Sequence, residues 1–138
     1  MSTPSVRPTP DPVLGWLRIT TAVTAVLSIV QLLLGVGLLG SLSGVFPVHR
    51  TLGYIAFLAA VAAAVFAVLW SRRSGNKGLM FHTISVAVLG LIQVGIGEMG
   101  VVWLHVVVGL LFLVDAVAAS TLSFRKPGSV LQETHTED

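Results

Sequence analysis

The 138-residue chain contains no cysteine. That absence removes disulfides, thiolate nucleophiles, cysteine-ligated iron–sulfur clusters and c-type haem attachment together. A cofactor would have to be held by His, Met, carboxylates or packing. Charge is scarce as well: 10% of the residues are charged and 54% are hydrophobic. Soluble domains carry about a quarter charged residues and just under half apolar ones. Beside its apolar segments the chain has no room for a soluble catalytic domain, and no nucleic-acid partner is expected.

What it has instead is four apolar runs, at 19–40, 51–70, 79–97 and 101–124. Each is close to the roughly 20 helical residues that cross a ~30 Å hydrocarbon core. The runs are continuous rather than alternating, which excludes membrane strands. The first carries no charge over 22 residues. It is too long for the core of a cleavable signal peptide, and no A-x-A-like site follows it. The expected fold is an all-α membrane protein, with helices at about 14–40, 48–70, 79–98 and 101–123. The Pro-rich stretch 1–12 and the polar stretch 125–138 read as disordered tails.

The links between runs are short, SLSGVFPV, SRRSGNKG and the few residues around Glu98, which favours an up-down-up-down bundle. In that arrangement Arg7, Arg18, Arg72, Arg73, Lys77, Arg125 and Lys126 fall on one side, and Arg50 alone on the other. The positive-inside rule then places both termini in the cytoplasm. Abundant Ala, Val and Gly with little Lys suggests a bacterial cytoplasmic membrane.

The two halves of the chain echo each other. Gln31 and Gly35 in the first run match Gln93 and Gly97 in the third. His49 and Gly53 at the start of the second match His105 and Gly109 at the start of the fourth. The pattern is Q-x-x-x-G, an outer loop, then H-x-x-x-G, with six more residues in the first loop. Each half runs out and back, so this reads as a parallel two-helix repeat about an axis along the membrane normal.

Two imidazoles at similar depth on pseudo-symmetric helices suit the axial ligation of a haem iron. Gly53 and Gly109 lie one turn beyond the histidines on the same face, where a missing side chain leaves space for a porphyrin edge. Ala56, Ala60 and Ala64 continue a small-residue face. His49 lies two residues after Pro47 and His105 is expected about a turn deeper, a mismatch of about 5 Å, one helical pitch. The other reading of both histidines is interfacial polar residues bonded across helices or to water, with the small residues serving ordinary close packing.

The stretches PVHRTLGYIAFL and LIQVGIGEMGVVWLHVVVGLLFLV resemble one four-helix half of the haem A synthase type. The resemblance covers about two thirds of the chain, roughly residues 31–117. It implies a haem-binding bundle with His49 and His105 as iron ligands and Arg50 completing that family's H-R pattern. This chain has one such half, no carboxylate in its first outer loop and no cysteine pair. The scaffold and the haem b site are therefore carried over, and the family's oxidative chemistry is not.

Other polar residues inside the runs need partners. Asp115 costs at least ~2.5 to 3.5 kcal/mol in hydrocarbon if left alone, and His82 is its best partner, with Thr83, Ser85 and Ser120 behind it. That pair is either a structural clasp or a proton relay. Gln31 and Gln93 either bridge the first and third helices through their amides or touch the cofactor edge. Arg50 either pairs with Glu98 or holds a haem propionate. Trp16, Trp70 and Trp103 stand near helix ends, as an interfacial belt requires. His135 lies in the polar tail.

The expected function is a small b-type haem protein for electron transfer or haem handling, not an enzyme on its own. One haem near one face cannot carry electrons across the bilayer, so a redox partner, a quinone or a larger membrane complex is implied. The alternative is a cofactor-free accessory subunit or assembly factor. A transporter fits least, since the helices lack paired breaks.

Overall fold

The computed structural model describes residues 11–126, and the expected tails and His135 lie largely or wholly outside them. Four helices make up the described chain: α1 (Pro12–Leu39), α2 (Phe46–Ser74), α3 (Lys77–Glu98) and α4 (Val102–Phe124). All four are long and apolar enough to cross a membrane. This is the fold of a multi-pass membrane protein. Each helix packs on the next, and α4 returns against α1 to close the ring.

Local chemistry sets the helix ends. Asp11 caps α1, its carboxylate accepting from the Val13 amide at 2.8 Å, and Pro12 takes a first-turn position that needs no amide hydrogen. Asn76 caps α3 by accepting from the Leu79 amide. Gly75 ends α2 in the left-handed conformation at φ 72°, with Arg72 and Arg73 in the last turn, where cations suit the carbonyl end of a helix. That capping carries α2 four residues beyond the expected end at 70.

The turns after α1 and α3 share one hydrogen-bond pattern. After α1, the Ser41 amide donates to the Leu38 carbonyl and the Leu42 amide to that of Gly37. After α3, the Gly100 amide donates to the Gly97 carbonyl and the Val101 amide to that of Ile96. Both are Schellman closures, with Ser41 and Gly100 each at φ 71° in the left-handed position. The longer first loop then makes a 3-10 turn at Ser43–Val45 that runs directly into α2.

The interior is built mostly from small residues. Ala56, Ala60, Ala63 and Ala67 are the buried alanines of α2, so Ala63 continues the face rather than Ala64, which is only partly covered. One apolar cluster joins Ala60 to Val86, Phe112, Ala116 and Ala119. A second joins Leu14, Leu17, Ala67, Trp70 and Leu79. Trp70 is therefore a core residue, 4% exposed, and not part of an interfacial belt, whereas Trp16 and Trp103 are exposed. The indole lies beneath Leu14 and Leu17 because α1 starts early enough to cover it.

Buried hydroxyls accompany the alanines. Thr21 and Ser123 meet at 3.0 Å between α1 and α4. Arg18 seals the same end. Its guanidinium donates to the Ser123 and Lys126 carbonyls, the latter at 2.6 Å, so a cation satisfies the open carbonyls at the end of α4.

Candidate functional site

The helix starts place the histidines. Because the 3-10 turn brings Phe46 into helical geometry, α2 begins before Pro47, and His49 is its fourth residue. His105 is the fourth residue of α4. The one-turn mismatch expected from Pro47 does not arise, since proline is tolerated in a first turn.

The two imidazoles lie side by side in an edge-to-face arrangement, with ring centres 5.9 Å apart and planes at 70°. Among the described residues no group of three or more His, Cys, Asp or Glu is placed to hold a metal ion. The pair thus offers two nitrogen ligands, the number a porphyrin leaves open on its iron.

The motif residues interlock within each hairpin. A β-carbon added at Gly35 would meet His49 Cε1 at 3.8 Å, and one at Gly97 would meet His105 Cε1 at 3.0 Å. A β-carbon at Gly53 would meet the Gln31 amide nitrogen at 3.5 Å, and one at Gly109 would meet that of Gln93 at 2.7 Å. In both hairpins the histidine lies over the glycine of Q-x-x-x-G and the glutamine over the glycine of H-x-x-x-G. Gly35 and Gly97 had no assigned role, although their four-residue spacing from glutamine was visible. The glutamines do not bridge α1 to α3; each bonds to its own hairpin partner, where the glycine gap opens.

Their hydrogen bonds differ between the hairpins. Gln31 donates to the backbone carbonyl of His49 at 2.8 Å and makes no bond to its ring. In the second hairpin His105 Nδ1 donates to the Gln93 backbone carbonyl at 3.1 Å. A carbonyl can only accept, so Nδ1 carries the hydrogen and Nε2 holds the lone pair. That lone pair accepts from the Gln93 amide nitrogen at 3.1 Å. Two buried atoms in this group have no partner, His49 Nδ1 and Gln93 Oε1. An unpaired buried polar atom costs about 1–3 kcal/mol.

These observations test the fit of a haem. Donor type and number suit an iron, and the unpartnered nitrogen of His49 is one that a ligand would satisfy. The glutamine amides lie over Gly53 and Gly109, the space assigned to a porphyrin edge, so a haem requires them to swing aside. Swinging the Gln93 amide breaks one bond and frees the His105 lone pair.

Arg50 is engaged elsewhere. Its guanidinium makes a two-pronged contact with Glu98, both distances 3.0 Å, and the Tyr54 hydroxyl donates to the same carboxylate at 2.9 Å. Tyr54 was not foreseen in this cluster; it lies one turn beyond Arg50, and that spacing was the available signal. The group ties the start of α2 to the end of α3 and is about half exposed.

His82 and Asp115 meet between α3 and α4 at 3.0 Å. Ser85 completes the cluster by donating to the second carboxylate oxygen at 2.9 Å. Thr83 instead bonds to carbonyls of its own helix. Asp115 is therefore fully partnered, and the cluster is separate from the paired histidines.

No protein-family model, curated protein or solved structure matches this chain.

Proposed function

We propose that this chain is a small b-type haem-binding protein of a bacterial cytoplasmic membrane, serving electron transfer or haem handling. The haem would lie between His49 and His105 near the outer face. The observation that carries this reading is the imidazole pair, 5.9 Å apart between two hairpins, with an unpartnered nitrogen on one ring.

An up-down-up-down bundle with a parallel repeat is the architecture that goes with it. In its support, Arg18 near the start of α1 bonds to carbonyls at the end of α4. Arg73 at the end of α2 reaches Asp11 before α1, and Arg50 at the start of α2 reaches Glu98 at the end of α3. The repeat is supported by the matched turns and by the glycine pairings in both hairpins. Cytoplasmic termini follow from the cation asymmetry across the helix ends.

Held by two imidazoles, the haem would supply one-electron chemistry. The protein's part is to bind and orient. The Gln93 carbonyl fixes the tautomer of His105, and the glycines let both rings lie close to the neighbouring helix. Arg50 can serve a propionate only by leaving Glu98. A redox partner or quinone would complete the electron path.

A cofactor-free accessory subunit or assembly factor is the second reading, and one observation favours it. The Gln31 and Gln93 amides fill the notches at Gly53 and Gly109, the space a porphyrin edge would need. A reduced-minus-oxidised absorption spectrum of protein purified after haem-supplemented expression separates the two. Sharp α and β bands, absent from the double variant His49→Ala/His105→Ala, support the haem reading. A featureless spectrum leaves the accessory role.

A further inference from the structure

The two histidines have the same neighbours in sequence and different environments in space. His105 places its Nδ1 hydrogen on the Gln93 carbonyl at 3.1 Å, a bond that remains when the Gln93 amide leaves the Nε2 lone pair. Its ring also rests tightly on Gly97. His49 has neither support. The Gln31 amide goes to its backbone carbonyl, its ring makes no hydrogen bond to the described residues, so that whichever nitrogen met an iron the other would lack a partner, and the ring stands in ordinary contact with Gly35.

A hydrogen bond from the second nitrogen of a metal-binding imidazole to a carbonyl fixes the tautomer, orients the ring and raises its basicity. Losing such a partner typically costs about 10–100-fold in metal affinity. His105 has that partner and His49 does not. The cause is local: Gln93 offers its backbone carbonyl to the imidazole as well as its side chain, and Gln31 offers neither to the ring of His49.

Resting on the haem reading above, we infer that His105 is the permanent ligand and His49 an exchangeable one. The His49 side of the site is then a binding position for a small neutral ligand, such as carbon monoxide or free imidazole. An incoming molecule of that kind displaces one weakly held ring without disturbing the other. The glycine at 35 helps, because it leaves the released ring room to turn.

The test uses full-length protein in detergent, carbon monoxide and imidazole as probes, and haem titration of two variants. Wild-type reduced protein is expected to change its Soret and α bands on adding carbon monoxide. His49→Ala is expected to keep haem and to regain the six-coordinate spectrum with millimolar imidazole. His105→Ala is expected to bind haem about 10–100-fold more weakly than His49→Ala.

Circular dichroism checks that both variants remain helical. If His105→Ala fails to fold, the carbon monoxide response of the wild type and the imidazole rescue of His49→Ala still decide. The inference is overturned if reduced wild-type protein is inert to carbon monoxide, or if His49→Ala is the variant that loses haem. A wild-type protein that binds no haem contradicts the parent reading instead, and is recognised by the absence of any Soret band before a probe is added.

Discussion

Gly97 lies beneath the imidazole of His105 so closely that a β-carbon there would stand 3.0 Å from Cε1 and 3.1 Å from Nδ1. The equivalent approach of Gly35 to His49 is 3.8 Å, an ordinary contact. The ring of His105 cannot retreat freely, because both of its nitrogens are bonded to Gln93. Gly97→Ala should therefore strain the second hairpin at a cost of about 1–3 kcal/mol, offset in part by up to about 1 kcal/mol of helix propensity. Gly35→Ala should show only the gain. Unfolding curves of the two variants in the same detergent check this, and equal shifts would contradict the asymmetry.

Ser41 and Gly100 occupy the same left-handed position in matching turns, but only one of them is glycine. A side chain in that conformation costs roughly 1–2 kcal/mol. Ser41→Gly should raise stability by up to about 1 kcal/mol, the larger freedom of glycine in the unfolded chain taking back the rest. The exposed site leaves little else to change. A lower midpoint of unfolding would show that the serine is favoured by something other than its backbone.

His82 and Asp115 should be energetically coupled. Side-chain contacts between membrane helices average ~0.6 kcal/mol in double-mutant cycles and reach about 1.7. This one joins an imidazole to a carboxylate that also accepts from Ser85, so it belongs at the upper end. The cycle uses His82→Ala, Asp115→Ala and the double variant, with unfolding free energy as readout. Coupling near zero would mean that Asp115 is satisfied by Ser85 or by water.

The absence of cysteine makes orientation simple to test, since every introduced thiol is unique. Ser43 in the turn after α1 and Lys77 at the start of α3 are both exposed. In intact cells, Ser43→Cys should react with a membrane-impermeant maleimide and Lys77→Cys should not. Reaction of Lys77→Cys alone would invert the topology.

The number of helices and their approximate limits were legible because long apolar runs have few alternatives in a bilayer. The meeting of His82 and Asp115 was legible for a related reason: a carboxylate in hydrocarbon must find a partner, and few were available at its depth. Helix starts were less so. Pro47 looked like the edge of α2, but a 3-10 turn ahead of it moved the start to Phe46 and brought His49 level with His105. Trp70 misled because a tryptophan near a helix end reads as interfacial, and only the overlap of α1 shows that it is covered. The glutamine contacts were hidden for another reason. Sequence gives the depth of Gln31 and Gln93 but not their rotation about the helix, and it is rotation that turns each toward its own hairpin partner.

The haem-binding role requires the paired histidines to hold one haem. Titrating haemin into purified, haem-free protein in lipid nanodiscs, with the Soret band as readout, measures this directly. The account predicts saturation at one haem per chain, and loss of the saturable phase in His49→Ala/His105→Ala. Non-saturating uptake by the wild type, or undiminished binding by the double variant, would contradict it.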